Sequence, residues 1–135
     1  MKKHFILFFA IAISYVCFGQ SVQYINYKSF FENKTMRIDY FHSGDADEEH
    51  FSLDRVLNDG AWAGSKIKVL DDLKLGLYFF EVYDKASETL LYSRGFASIF
   101  GEWQTIPEAQ EKWGTFHESI RFPWPFDPVN VVMKK

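Results

Sequence analysis

With 135 residues, the chain has room for one domain built around one hydrophobic core. Hydrophobic residues make up 47% and charged residues 24%, which excludes the low-hydrophobicity, high-charge composition of disordered chains. The formal net charge of −3 argues against nucleic acid and anionic membranes as partners, because both attract clustered Lys and Arg. Aromatic residues reach 19%, and their bulky side chains favour β-sheet.

Residues 1–19 are predicted to form a secretory signal peptide. Two lysines precede an apolar run over residues 5–16, which is typical of such signals and too short to span a bilayer. We expect cleavage before Gln20. A competing interpretation makes Cys17 a lipid-modified N-terminus, but the residue before it is larger than such sites prefer. Cys17 is the only cysteine, so the exported domain, residues 20–135, would hold no disulfide. We therefore predict a secreted, periplasmic or cell-surface protein.

Alternating apolar and polar residues then predict a series of short strands. The acidic stretch 42–49 reads as a loop between the first two strands, and Asn58-Asp59-Gly60 as a tight turn. Residues 84–88 join the third and fourth strands into an antiparallel hairpin. The predicted strands cover residues 35–41, 51–57, 76–83, 89–98, 117–122 and 129–133.

One helix is predicted over Pro107–Trp113, with Thr105 as N-cap and Gly114 at its end. Three prolines, Pro123, Pro125 and Pro128, restrict the chain that follows to an edge strand or a crossing. Short strands, polar turns and one short helix together predict a mainly β fold. The expected architecture is an antiparallel, immunoglobulin-like β-sandwich that occupies residues 20–135 as a single domain.

Two patterns resemble metal-binding motifs, but neither supplies the full set of ligands that a metal ion requires. His117 to Arg121 matches H-E-x-x-H except that a guanidinium replaces the second histidine, and the segment reads as extended rather than helical. The carboxylates of 45–49 are dense, but they lack the further ligands of a calcium loop at the required spacing. We predict a solvated acidic loop there, no metal ligand and no cofactor.

No nucleophile stands out either. His42 and His50 have no cysteine or nucleophile at motif spacing, and Ser93 and Ser98 lack the G-x-S-x-G elbow of hydrolases. We therefore predict no catalytic residue and no enzymatic activity in this chain. Trp62 and Trp124 remain as candidate ligand-facing aromatics, with core packing as the commoner role of such side chains.

A long aromatic motif carries a resemblance to a known family. The run Y-S-R-G-F-A-S-I-F-G-E-W-Q-T at 92–105, followed by P-E-A at 107–109 and R-F-P at 121–123, resembles the N-terminal domain of the bacterial IgA-peptidase-like metallopeptidases, peptidase family sixty-four. Residues 36–44, 51–54 and 62–65 resemble the opening strands of the same domain. Within the motif, the residues we single out as structural or interface positions are Arg94, Gly95, Phe96, Phe100, Gly101, Glu102 and Trp103.

The resemblance implies a β-sandwich that precedes a separate zinc peptidase domain, typically in Bacteroidota. The zinc-binding motif of that second domain has no counterpart in these 135 residues, so no ligand is carried over. We therefore expect a non-catalytic accessory domain of a secreted zinc metallopeptidase, truncated or separate from its catalytic domain. Its partner would be that peptidase domain or a protein or glycoprotein substrate. The alternative is a stand-alone exported module that binds glycan or protein at the cell surface.

Overall fold

The computed structural model describes residues 24–135. The predicted signal peptide, its cleavage before Gln20 and the alternative at Cys17 lie outside the described residues. Among the described residues, no helix has the length and apolar character needed to cross a membrane. The elements in chain order are α1 Tyr27–Phe30, β1 Phe31–Gly44, β2 Glu49–Asn58, β3 Tyr78–Asp84, β4 Leu90–Phe96, α2 Ile99–Trp103, a 3-10 helix Pro107–Gln110, β5 Gly114–Pro125 and β6 Val129–Lys134.

The strands form two antiparallel sheets of three strands each, in the orders β2-β1-β5 and β4-β3-β6. Phe122 of β5 packs on Phe80 of β3 and Tyr92 of β4, with ring centroids 6.2 and 6.3 Å apart. All three rings are buried, and they join the two sheets in one core. The prediction of a mainly β, antiparallel sandwich is confirmed.

The first sheet follows the period-two pattern of its sequence. Met36, Ile38 and Tyr40 of β1 face the core, and Arg37 and Asp39 face outward, where the two side chains pair. The strand is longer than its pattern predicted, because the alternation continues to Gly44. Opposite it, β2 contains a bulge: Asp39 pairs with Arg55 and Tyr40 pairs with Leu53, which leaves Asp54 as an extra residue.

The predicted hairpin of β3 and β4 forms, with Tyr78 paired to Phe96 and Val82 to Tyr92. Before it, the chain covers the outer edge of β4, because Ser93 donates a backbone hydrogen bond to Val69 and Gly95 donates one to the side chain of Asp71. The free edge of β4 is therefore partly closed by the 69–71 segment. The edge of β2 has no such cover, since β2 pairs only with β1 among the described residues.

The prolines of β5 behave as the sequence predicts. Pro123 and Pro125 lie in register with Thr35 and Phe31 of β1, and β5 is the edge strand of its sheet. A proline can occupy an edge strand because its missing N–H can face away from the neighbouring strand. The tight turn at Asn58–Gly60 is also present, with Gly60 at φ 86° and its N–H donated to the Asn58 side chain.

The helical prediction needs correction. Residues 107–113 do not form an α-helix; a single 3-10 turn covers Pro107–Gln110, and Gly114 begins β5. Thr105 does not cap it, since its hydroxyl donates to the Glu102 carbonyl. Only Ala109 of this turn is buried, so there is no apolar stripe to hold a longer helix. Two short helices, α1 and α2, were not predicted, and Ser98 caps α2 by accepting from the N–H of Gly101.

Candidate functional site

A buried histidine lies where β1, β2, β5 and α2 meet. His42 of β1 has no solvent exposure, and its ring is stacked between Phe51 of β2 and Phe100 of α2 at centroid distances of 4.1 and 4.0 Å. The ring of Tyr78 meets it edge-on at 5.3 Å. The imidazole is therefore enclosed by aromatic rings, and its polar contacts can come only from groups in its own plane.

Two glutamates supply those contacts. Nε2 of His42 lies 3.2 Å from Oε2 of Glu49, and Nδ1 lies 3.3 Å from Oε2 of Glu118. A neutral imidazole donates through one nitrogen only, whereas an imidazolium donates through both. Each ring nitrogen of His42 therefore lies within hydrogen-bonding distance of a carboxylate oxygen. We call His42, Glu49 and Glu118, with the hydroxyls of Tyr40, Tyr78 and Ser98, the His42 cluster.

Hydroxyl groups and a lysine complete the hydrogen bonding of the two carboxylates. Tyr40 donates to Glu118 at 2.9 Å, and Tyr78 donates to Glu49 at 2.8 Å. Lys135 also lies 3.2 Å from Oε2 of Glu49. In the described part of the chain, no buried side-chain polar atom lacks a partner. The cluster is consequently a satisfied hydrogen-bond network, in which both carboxylates accept from several donors.

The ionisation of the cluster follows from these contacts. Burial alone would raise the pKa of Glu118, but donors from the Phe100 backbone, Ser98 and Tyr40 outweigh it and hold the pKa below its ordinary value. Burial also opposes ionisation of Glu49, and its donors likewise lower its pKa. Burial, reinforced by the neighbouring carboxylates, raises the pKa of both tyrosine hydroxyls. At neutral pH the cluster therefore contains two carboxylates and two protonated phenols.

The cluster contains a serine, a histidine and a glutamate in hydrogen-bonding contact, which calls for a comparison with a hydrolytic triad. Ser98 Oγ lies 3.2 Å from Nδ1 of His42, but it donates its proton to Oε1 of Glu118 at 2.8 Å. The same oxygen accepts from the N–H of Gly101. A serine whose proton goes to a carboxylate and whose side chain is buried cannot be deprotonated by the imidazole for attack on a substrate.

The residues of the predicted family motif build one wall of this cluster. Phe100 stacks on His42 and donates its N–H to Glu118 at 3.1 Å. Trp103 packs on Phe100 at 5.6 Å. Gly101 is buried against Tyr78, where an added Cβ would lie 2.7 Å from the tyrosine ring.

The remaining motif residues lie at the end of β4 and on the surface of α2. A Cβ on Gly95 would lie 2.0 Å from the carbonyl oxygen of Leu75, so only glycine allows the Leu75 backbone to come this close to β4. Phe96 is half-buried and packs on Tyr78 at 5.6 Å. Arg94 and Glu102 are both exposed, and no ion pair joins them among the residues that the structure describes.

The two candidate ligand-facing tryptophans are half-buried. Trp62 meets Tyr92 edge-on at 5.9 Å and donates to the carbonyl of Ser65. It also borders a shallow depression that Arg94 and Arg121 share. Trp124 lies between the two prolines of β5 and does not border that depression. The structure thus does not bring the two tryptophans together at one site.

The outer face of the first sheet holds a second group of charges, in which ligand atoms of Asp39, Asp54 and His117 lie within 4.8 Å of one another. Arg37 donates to both oxygens of Asp39, at 2.8 and 3.0 Å, and Arg55 donates to one of them at 3.1 Å. His117 contacts Asp54 at 3.1 Å. A cation would have to displace two guanidinium groups from Asp39, so ion pairing accounts for this group.

The two sequence patterns tested for metal binding have other roles in the structure. His117 lies in a strand, as predicted, and Arg121 donates to Asp59 at 2.7 Å. In the acidic loop, Asp45 accepts from the N–H groups of Asp47 and Glu48 and so closes a turn. Those hydrogen bonds hold the pKa of Asp45 below its ordinary value.

An apolar groove opens between the edge strands β2 and β6, next to the His42 cluster. It encloses about 390 Å³, and the side chains along it include Ile38, Tyr40, Phe51, Leu53, Val56 and Met133. The side chains of β2 are the exposed part, with Leu53 68%, Val56 47% and Phe51 38% accessible. We call this feature the edge groove.

The sequence analysis missed the His42 cluster because it placed His42 and Glu49 in a loop. A signal was available: position 42 continues the inward series Met36, Ile38, Tyr40, and position 118 has the same parity as the buried Ile120. A strand extended by two residues would have turned His42 into the core. Its partners could still not be named, because they come from strands distant in sequence.

Comparison with known proteins gives one family. The sequence model of the family described as peptidase M64 N-terminus matches residues 26–135, which confirms the predicted resemblance. No curated protein matches the chain. The matched span contains the His42 cluster, the aromatic motif and the edge groove.

Proposed function

Because the chain belongs to the peptidase M64 N-terminus family, we propose that it is a non-catalytic accessory domain that acts beside a zinc metallopeptidase catalytic domain. The family match over residues 26–135 carries this proposal. The N-terminal domain of that family is not itself the catalytic part. The function of such a domain lies in the surface it offers to the peptidase or to a protein substrate.

The reactive side chains are already held by hydrogen bonds and ion pairs within the domain, which supports a non-catalytic role. Ser98 donates to Glu118, and His42 is fully buried between two carboxylates. Asp39, the buried member of the outer charge group, is held by Arg37 and Arg55. A general base or a metal ligand must instead present a free lone pair to a substrate or an ion.

The predicted export signal at residues 1–19 supports a site of action outside the cytoplasm. The partner proposed for the domain is therefore an exported peptidase domain or a glycoprotein that this peptidase cleaves. Truncation from a longer peptidase chain and expression as a separate polypeptide are both compatible with this role.

A proteolysis assay tests the proposal. The chain from Gln20 onward is incubated with casein and a fluorogenic peptide library, with zinc and then with chelator. We expect no cleavage under either condition. Chelator-sensitive cleavage that coelutes with the chain on a sizing column would overturn the proposal. Cleavage that separates from the chain on that column would come from a contaminating protease and would leave the expected result standing.

A binding assay tests the accessory role itself. Titration calorimetry with a separately purified catalytic domain from a peptidase M64 protein should show a saturable complex. The absence of binding and of any change in peptidase activity would contradict the accessory role.

The second candidate is a stand-alone module that binds glycan or protein at the cell surface, and the depression beside Trp62 favours it. The half-buried indole of Trp62, which borders the depression beside Arg94 and Arg121, can contact a sugar ring while a guanidinium holds an acidic substituent. A glycan array should then give hits that Trp62→Ala loses. Trp113→Ala, which removes an exposed tryptophan elsewhere, is the matched control. An array without hits excludes the glycan form of this candidate.

A further inference from the structure

Within residues 24–135, β2 pairs with β1 alone, so its other edge is unpaired. Edge strands expose backbone N–H and C=O groups that can pair with another strand, and natural proteins block them with lysine, proline, β-bulges or inward-pointing charges. The ten residues of β2, Glu49–Asn58, contain no lysine and no proline. Between Phe51 and Asn58, the inner face carries no charge. The equivalent edge of β4 is covered by the 69–71 segment.

The bulge gives β2 an unusual pattern of faces. Before the bulge, Phe51 and Leu53 point into the edge groove; after it, Val56 does so. Asp54 and Arg55 both lie on the outer face, where they contact His117 and Asp39 respectively. The inner-facing positions therefore change from odd to even numbers at the bulge.

This change of parity restricts how β2 could pair with another copy of itself. In an antiparallel two-fold pair, facing side chains must lie on the same side of the sheet. Among registers centred on the strand, only the one with its axis between Asp54 and Arg55 matches every pair. Leu53 then faces Val56 of the second copy, Phe51 faces Asn58, and Ser52 faces Leu57. A shift of this axis by one residue in either direction sets inner positions against outer ones.

The same register brings opposite charges together. Asp54 faces Arg55 of the second copy, and Arg55 faces Asp54. The Arg55 side chain is 58% exposed, and its Nε donates to Asp39 and lies 3.3 Å from Asp54 of the same copy, which leaves its terminal nitrogens for an acceptor on the second copy. Apolar and charge complementarity therefore select the same two-fold arrangement. Opposite charges directly across two strands stabilise the pair, and like charges oppose it.

We propose that the chain forms a two-fold dimer in which β2 pairs antiparallel with β2 of a second copy, with the axis between Asp54 and Arg55. The β2-β1-β5 sheet of one copy and the same sheet of the second copy then form one sheet of six strands, and the edge grooves of the two copies join. Leu53, Val56 and Phe51 of both copies are then covered by each other. The interface is isologous, the commonest type among soluble oligomers.

Sedimentation equilibrium of the chain from Gln20 onward, at several concentrations, tests the proposal. We expect a reversible monomer–dimer equilibrium. Leu53→Glu should raise the dimer dissociation constant by on the order of 100-fold, because a two-fold axis places the change in the interface twice. Leu73→Glu is the matched control, since Leu73 is 70% exposed and lies outside β2. A chain that stays monomeric at all concentrations, or a dimer that Leu53→Glu leaves intact, overturns the proposal.

The charge pair tests the register. Asp54→Arg and Arg55→Asp should each weaken the dimer, because each sets like charges opposite one another across the axis. The double variant restores opposite charges between copies while the contacts to Asp39 and His117 inside each copy stay lost. Recovery of dimerisation in the double variant, together with unrecovered thermal stability of the monomer, supports the proposed axis. If the double variant associates no better than the single ones, the register is wrong.

Discussion

Replacement of Glu118 by glutamine tests whether the His42 cluster stabilises the sandwich. The carboxylate accepts hydrogen bonds from Tyr40, Ser98 and the Phe100 N–H, and it lies against Nδ1 of His42. An amide oxygen can keep the Ser98 and Phe100 bonds, while its NH₂ group replaces the acceptor that faced Tyr40 and His42. Hydrogen bonds to a charged group contribute about 1.5–3 kcal/mol each, so we expect a loss of about 2–4 kcal/mol at pH 7.

The pH dependence of this loss has a defined sign. The pKa of Glu118 is lower in the folded chain than its ordinary value, so its contribution to stability is present above the unfolded pKa of about 4.3. The contribution decreases as the pH falls below that value and through the folded pKa. The difference in unfolding free energy between wild type and Glu118→Gln should therefore be largest near pH 7 and shrink below about pH 4.

Urea unfolding followed by tryptophan fluorescence at pH 7, 5 and 3.5 measures this difference. Glu111→Gln is the control, because Glu111 is exposed and its removal tests the loss of a charge alone. If Glu118→Gln matches the control at pH 7, or if its deficit grows as the pH falls, the cluster does not act as described.

Two further substitutions test the packing of the sandwich and the covering segment. Phe122→Ala removes the ring that joins the two sheets and should lower the unfolding free energy by about 3–5 kcal/mol, whereas Phe126→Ala, at an exposed position, should cost far less in the same urea titration. Gly95→Ala should push the Leu75 backbone away from β4, because the new Cβ would lie 2.0 Å from its carbonyl oxygen. In the native chain the N–H of residue 95 donates to Asp71. Faster hydrogen exchange at this N–H in the variant would report the movement, and unchanged exchange would refute the close approach.

The strands could be predicted from the sequence because their period-two pattern reflects the two faces of a half-buried sheet. The pattern around Met36–Tyr40 and the proline pair of β5 gave the right element and the right edge position. The helices could not be predicted in this way. The motif I-F-G-E-W received no predicted element, and its central glycine disfavours a helix. What makes α2 helical is tertiary: the Ser98 cap and the packing of Phe100 on His42.

The His42 cluster could not be predicted from the sequence for a related reason. Polar residues at a strand end usually indicate a loop, and His42 and Glu49 fit that rule until a third strand supplies Glu118. The edge groove was likewise hidden. The alternation in β2 indicated a half-buried strand, but it could not show that nothing in the described chain covers that face.

The buried imidazole also constrains how the first sheet can assemble. A slip of β1 by one residue against either neighbour would turn His42 away from Glu49 or Glu118 and leave a carboxylate without its imidazole partner. Apolar residues alone tolerate such errors, since Ile, Phe and Tyr can exchange neighbours at small penalty. We therefore expect misaligned folding intermediates of this domain to be short-lived, because only the native alignment of three strands places the imidazole between both carboxylates.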